Sequence, residues 1–298
     1  MNLKGQHILS AKQFDKELLL EIFQQAKKFE ENGGDGCLKG KIMATLFCEP
    51  STRTRFSFET AMLRLGGDVV SNFDMMNNSS FTKRETLFDT GKVVSQMVDV
   101  IVMRHPVPVA LHELAKGSEV PVINAGNGPQ DHPTQAMLDA YTIWKEFGKL
   151  DGLTVGVIGD LKYSRVLHSQ VMALKNFGVK FVLVSPKELQ LPVDLKERID
   201  FVESENLSEV ISEMDVISVN RIQEERFASK EEAEKFRGKF VVNNQILARA
   251  KEKAIVLCPL PRVEELPTEI DGDGRIRFFT QVKNGVFVRM ALLKMVLG

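Results

Sequence analysis

A chain of 298 residues is long enough for about two domains, each with a core of its own. With 39 basic against 40 acidic side chains the net charge is −1, so no overall basic footprint points to nucleic acid or an anionic membrane, and any cationic site has to be local. No apolar run is as long as a membrane span and the first seven residues lack the apolar core of a signal peptide, so the cytoplasm is the expected compartment; three cysteines without a C-x-x-C pair suit free buried thiols better than a disulfide framework or a zinc site.

Asp15 is placed to cap a first helix with Leu18, Leu19, Ile22, Phe23 and Ala26 on one side, closed by Gly33-Gly34. Short apolar runs then alternate with helical patterns, at 42–48, 69–70, 98–103, 120–124, 154–158, 181–184, 216–219 and 254–257. Near-continuous Val/Ile/Leu strands separated by helices specify parallel sheets covered on both faces, hence an α/β fold. The stretch 133–147 reads as a helix, a glycine-flanked break follows at 148–152, and a second strand-helix series starts at Thr154, which places the domain junction there. The last segment, 284–297, is apolar around most of its surface and has to be buried.

Ser51-Thr52-Arg53-Thr54-Arg55 follows the first strand and opens a helix marked by Phe58, Ala61, Met62 and Leu65 and stopped by Gly66-Gly67, with Ser51 in place to cap it. Hydroxyls and guanidinium forks at a helix N-terminus, where backbone N–H groups and the helix dipole favour negative charge, make an anion site. The other reading of that stretch alone is a capped surface helix with two solvated arginines. Further polar clusters follow other strands: Arg104-His105, 126–135, 159–165, 220–223 and 258–262. Ligands of open α/β sheets bind beyond the strand carboxyl ends. Two doubly wound parallel-sheet domains are therefore expected to bring both sets to an active-site cleft between them, lined by Arg53, Arg55, Arg104, His132, Arg165, Arg221 and Arg262, with Lys83-Arg84 on a nearby loop. Multiply anionic ligands fit such a cleft. A Walker loop, a G-x-G-x-x-G turn, an H-E-x-x-H helix and a G-x-S-x-G elbow are all absent, so no cofactor or metal is expected, and the chemistry is one of positioning and charge stabilisation.

Ser51 to Arg55, taken with Met103-Arg104-His105-Pro106, His132-Pro133-Thr134-Gln135 and Pro259-Leu260-Pro261-Arg262, closely resembles the carbamoyltransferases; Asp160-Leu161-Lys162-Tyr163-Ser164-Arg165 with Arg221-Ile222-Gln223 is similar to their aspartate branch. The matching residues run in order from Phe47 to Leu293. The resemblance implies a carbamoyl-phosphate-binding domain over 1–133, a linking helix over 134–149, an aspartate-binding domain over 150–283 and a terminal helix, 284–298, packing back on the first domain. It implies transfer of the carbamoyl group of carbamoyl phosphate to the amino group of L-aspartate, giving N-carbamoyl-L-aspartate and phosphate for pyrimidine biosynthesis. Carbamoyl phosphate would fall to Ser51, Thr52, Arg53, Thr54, Arg104, His132, Gln135 and Leu260, with Thr54, Arg104 and His132 around the carbonyl oxygen and Gln135 on the carbamoyl nitrogen. Aspartate would fall to Lys83, Arg165, Arg221, Gln223 and Pro261. The implied catalytic residues are Arg53, Thr54, Lys83, Arg104 and His132.

Ser79 and Lys83 lie in a run resembling the loop that the family inserts into a neighbour's site, which implies a homotrimer, alone or with regulatory chains or other pyrimidine-pathway subunits. This chain departs from the family pattern at Arg84, where glycine is usual, at Cys258, where histidine is usual, and at Ser218 and Asn220, which replace tyrosine and threonine beside Arg221. Cys258 is not the ornithine-binding cysteine of the sister family, which would sit immediately before Leu260, where Pro259 stands. His105 and His168 keep a structural reading. Transfer to another amine, such as ornithine, and a catalytically silent binding subunit of the same fold are the competing functions; the Arg165–Arg221 pair opposes the first, and intact Arg53, Arg104, His132 and Lys83 oppose the second.

Overall fold

The computed structural model describes residues 2–298. Residues up to Leu138 together with Val282–Gly298 form one compact unit, and Asp139–Gln281 form the other. Both passages between the units are helical, because the division falls inside the helices Pro133–Phe147 and Phe278–Leu297, ahead of the glycine-flanked break at 148–152.

The first unit holds a parallel sheet of four strands, β1 (Ile42–Phe47), β2 (Asp68–Asn72), β3 (Val100–His105) and β4 (Val122–Asn127), in the order β2-β1-β3-β4. Strands β1, β3 and β4 are buried almost throughout, as parallel strands covered on both faces must be, whereas the edge strand β2 is largely exposed. Ile8 lies parallel to Ile123 on the open side of β4, its N–H donating to Val122 O at 2.8 Å, and so covers that edge. Ala44, Leu46, Ile101 and Met103 form the core of this unit with Leu111 and Leu114.

The second unit holds five parallel strands, β5 (Thr154–Gly159), β6 (Lys180–Val184), β7 (Asp200–Ser204), β8 (Val216–Asn220) and β9 (Ile255–Leu257), in the order β7-β6-β5-β8-β9. Ile158, Val182, Val184, Ile217 and Val219 pack with Phe240 and Leu266 in its core. Both sheets share one topological feature that decides where a ligand goes. From β1 the chain winds outward through β2 and then returns to lay β3 on the other side of β1; from β5 it winds through β6 and β7 and returns to lay β8 on the other side of β5. The segments leaving β1 and β3, and those leaving β5 and β8, therefore diverge at a switch point and leave a crevice between them.

Candidate active site

At the β1/β3 switch point the helix Thr52–Arg64 begins with Ser51 in an extended N-cap position (φ −160°). The expected capping bond is not made: the Ser51 hydroxyl accepts instead from Arg104 Nη1 at 3.4 Å, which leaves the backbone donors of the first turn without a side-chain cap. Arg104 is the penultimate residue of β3, opposite Phe47 in the register, and its carbonyl accepts from Cys48 N–H at 2.9 Å, so the two strand ends are tied together. Glu49 holds the same guanidinium at 3.3 Å from its Nε. Thr54 is buried, and its Oγ1 lies 3.4 Å from Nε2 of buried His132, at the long limit of a hydrogen bond; both groups are near enough to reach one shared oxygen atom. His132 stands immediately before the helix Pro133–Phe147, whose first turn carries half-buried Gln135.

The two arginines of the opening motif do not act together. Arg53 is exposed on the first turn, whereas Arg55 turns away to Glu59 (3.8 Å) and lies over the rings of Phe56 and Phe73, at 5.0 and 4.9 Å. The physical reason is helical pitch: positions two apart point about 200° from one another. A residue missed in the sequence is Arg289, buried in the terminal helix, whose Nη1 donates to Ser57 Oγ at 2.9 Å and whose Nη2 donates to Thr134 Oγ1 at 3.3 Å. It fixes the two helices that carry Thr54 and Gln135. Its only sequence signal was a lone guanidinium in an apolar helix.

At the β5/β8 switch point Arg165 opens the helix Arg165–Leu174, capped by Ser164, and Arg221 directly follows β8. Arg221 meets Glu225 with both ends of its fork, at 2.9 and 2.5 Å, and its Nη1 also donates to Ile222 O at 2.9 Å. Asp160 ties the two loops: one carboxylate oxygen accepts from Tyr163 N–H at 3.0 Å and the other from Gln223 N–H at 3.1 Å. Burial, the largest influence, pushes its carboxyl above the usual Asp range against the effect of those backbone donors. Sequence reasoning quoted Asp160 within a motif without giving it a role. Gly159, at φ +111°, permits the approach, since a Cβ there would sit 2.0 Å from Asn220 O. A cavity of about 270 Å³ beside these loops includes Arg221, Pro261, Phe236, Arg237 and Glu265 in its lining. Leu260 takes a left-handed φ of 58° ahead of Pro261. Arg262, expected in the cleft, pairs bidentately with Asp271 and stacks over Phe278 at 5.1 Å, which makes it an anchor of its own loop.

Lys83 ends a short 3₁₀ turn, Ser80–Lys83, capped by the Ser79 hydroxyl, and Lys83 and Arg84 have no ion-pair partner among the described residues. Arg84 adopts a left-handed conformation (φ 68°), one that glycine takes without strain and a residue with a Cβ takes at a cost. No hydrogen bond joins Lys83 to the Ser51, Thr54, Arg104 and His132 group among the described residues. His105 Nδ1 accepts from Val107 N–H at 3.0 Å and burial lowers its pKa; His168 Nε2 lies 2.8 Å from Leu161 O. Both are occupied structurally. None of the three cysteines is in a disulfide, and only Cys258 is buried, Cys48 being half-buried and Cys37 exposed.

Residues 6–145 match the model of the aspartate/ornithine carbamoyltransferase carbamoyl-P binding domain, and residues 151–296 match that of the Asp/Orn binding domain. The chain belongs to the aspartate/ornithine carbamoyltransferase family. It is 48% identical over 296 residues, covering 98% of this chain and 99% of the relative, to the aspartate carbamoyltransferase catalytic subunit of Archaeoglobus fulgidus. It is 46% identical over 307 residues, all of this chain and 99% of the relative, to that of Thermococcus kodakarensis. Its fold is similar to that of aspartate transcarbamoylase from Trypanosoma cruzi in complex with carbamoyl phosphate and aspartate, with a TM-score of 0.93 at 40% identity over 99% of this chain and 98% of that one. Family membership agrees with the two switch-point constellations, each of which gathers guanidinium and other donors suited to anions.

Proposed function

We propose that this chain transfers the carbamoyl group of carbamoyl phosphate to the amino group of L-aspartate, giving N-carbamoyl-L-aspartate and phosphate for pyrimidine biosynthesis. The observation that carries the reading is the β1/β3 switch point, where a helix start without a side-chain cap faces Arg104 and adjoins the Thr54–His132 pair. In this reading the phosphate lies on the helix start with Ser51, Thr52, Arg53 and Arg104, and Thr54, Arg104 and His132 meet the carbonyl oxygen. The amine attacks the carbonyl carbon, a C–N bond forms, charge gathers on the oxygen and the C–O bond to phosphate breaks. The departing phosphate accepts the amine proton. Donors already aimed at that oxygen do not reorganise as charge develops, and each is worth about 10²–10³ in rate.

Arg165, Arg221, Gln223 and Pro261 take the aspartate side. Two guanidiniums suit the two carboxylates of aspartate and repel the ammonium of an ornithine side chain. The reading extends to a homotrimer in which Ser79 and Lys83 serve a neighbouring subunit. It is supported by the cations at 83–84 and by the exposed apolar side chains on and beside the loop that carries them, Phe56 (51%), Phe73 (63%) and Met76 (47%). Phosphate release measured with a panel of amino acids tests the function: aspartate is expected to support turnover and ornithine is not. Comparable turnover with ornithine would overturn the substrate assignment, and no release with any amine would favour the silent subunit.

A further inference from the structure

The two points at which the chain passes out of the second unit are joined by a buried hydrogen bond. Asp139, the first residue of that unit, lies on the helix Pro133–Phe147, and Gln281, its last, lies on the helix Phe278–Leu297. Gln281 Nε2 donates to Asp139 Oδ1 at 2.5 Å, and Gln281 Oε1 accepts from Cys258 N–H at 3.1 Å. The string continues through the cysteine side chain, where Sγ accepts from Leu260 N–H at 3.3 Å. Asp139, Gln281 and Cys258 are each at least 98% buried. Leu260 itself sits at φ 58°, a conformation that is strained for a residue with a Cβ and persists only where its surroundings hold it.

We propose that Asp139, Gln281 and Cys258 are positioning residues, forming a buried hydrogen-bond string that sets the Leu260–Pro261 loop for substrate, with the cysteine sulfur in the place usually held by a histidine ring. The proposal rests on the carbamoyl-transfer reading, in which Leu260 contacts carbamoyl phosphate and Pro261 contacts aspartate. The string gives a physical role to a departure from the family pattern. A thiol sulfur accepts a hydrogen bond from the backbone two residues on, fixing Leu260 in its left-handed state, while Gln281 holds the cysteine backbone and Asp139 holds Gln281. A buried acceptor of this kind acts through geometry: removing it frees the loop without removing a group that touches substrate.

The test uses the whole chain and two variants, Cys258→Ala, which deletes the acceptor, and Cys258→Ser, which keeps one. Two readouts are taken. Hydrogen exchange at the Leu260 amide reports the bond whatever the substrate, and calorimetric titration with carbamoyl phosphate, with KM and kcat, reports its use. Cys258→Ala is expected to speed Leu260 exchange by about tenfold and to weaken carbamoyl phosphate by a similar factor, the worth of one hydrogen bond, with Cys258→Ser restoring most of both. Unchanged exchange in Cys258→Ala overturns the string. Faster exchange with unchanged KM and affinity overturns the positioning role, as would a melting temperature lowered equally in both variants with kinetics intact. If the unsubstituted chain neither binds carbamoyl phosphate nor releases phosphate, the functional reading fails and the substrate role of the string fails with it, while the exchange data still decide the string itself.

Discussion

Replacing Asp160 by asparagine is expected to separate function from stability. Asp160 is fully buried and joins the loops leaving β5 and β8 by accepting from Tyr163 N–H and Gln223 N–H at 3.0 and 3.1 Å. Asparagine keeps one oxygen for one of these donors and presents an NH₂ group to the other. A lost hydrogen bond to a charged group is worth about 1.5–3 kcal/mol, so Asp160→Asn should lower kcat/KM for aspartate roughly 10- to 100-fold, since Gln223 and Arg221 lose their register with Arg165. Carbamoyl phosphate binding, whose proposed donors lie in the first unit apart from Leu260, should hold. Stability should move little, because the same substitution removes the cost of burying a charge, which offsets the lost bond.

The pH dependence gives the reasoning a second check. Burial raises the Asp160 carboxyl above its ordinary pKa, so its ionised form is disfavoured in the fold. Its contribution to stability is therefore fully present below the unfolded pKa and is lost as pH rises through the raised folded value. Aspartate affinity runs the opposite way, because a protonated carboxyl accepts only weakly at its hydroxyl oxygen, so one of the two backbone N–H bonds weakens and the loops loosen as pH falls through that same value. The assay is kcat/KM for aspartate from acidic to neutral pH, beside thermal melting of both chains. An acidic limb present in the parent and absent from Asp160→Asn is expected. Equal weakening of both substrates, or unchanged aspartate turnover in the variant, would refute the argument.

Arg53→Ala should lower turnover on the order of 100-fold at saturating substrates, since a donor to the leaving phosphate is removed; near-parental turnover would take Arg53 out of the mechanism. Arg221→Leu should instead raise the aspartate KM steeply while carbamoyl phosphate titrates normally by calorimetry, and parallel loss of both would break the division of labour between the units. Glu225→Gln leaves the Arg221 fork without its resident carboxylate, so inhibition by simple monocarboxylates such as acetate should strengthen, measured as a lower inhibition constant; an unchanged constant would mean that Glu225 does not guard the fork. Arg53→Ala and Lys83→Ala chains should be nearly inactive apart and recover about a quarter of parental activity when refolded together as random trimers, because mixed trimers retain one intact shared interface. Activity no greater than the sum of the separate chains, with mixed trimers confirmed by mass, would assign Lys83 to its own subunit or to none.

What was legible in the sequence is what local pattern encodes. Buried parallel strands announce themselves as apolar runs, and the helix Lys16–Asn32 begins at Asp15 as its capping residue requires, with the side chain accepting from Leu18 N–H at 2.8 Å. Strand β7 is absent from the expected strands: its Asp-Phe-Val-Glu-Ser run has only Phe201 and Val202 apolar, no more than β2 shows, as suits an edge strand that is largely exposed. Arg104-His105 and Gly159 prove to be the last residues of their strands, not the first beyond them. The ties that shape the site were out of reach for another reason. Asp160 meets Gln223 across 63 residues and Arg289 meets Ser57 across 232, so neither partner carries a local signature of the other. Ser51 occupies the expected cap position, yet its hydroxyl is taken by Arg104 from another strand, a competition that only the tertiary structure decides.

A net charge of −1 and a site for anions are reconciled by the company the arginines keep. Arg104 faces Glu49 at 3.3 Å and Arg221 faces Glu225 at 2.5 Å, so these guanidiniums are already oriented by a carboxylate of the same unit. A monoanion arriving at such a fork gains little over the resident carboxylate and must still shed its own hydration. A dianion gains more: a phosphate over the helix start at Ser51 meets the guanidinium, the hydroxyls and the backbone donors together, and its charge lies on the positive end of the helix dipole. Discrimination is a difference between two binding free energies; displacing a resident carboxylate costs every ligand alike and lowers the occupancy of all of them, while the difference comes from the donors that only a well-matched dianion engages. The carboxylates beside Arg104 and Arg221 thus hold the two forks in place, and in the proposed reading the choice among anions rests on the hydroxyls and backbone donors around them.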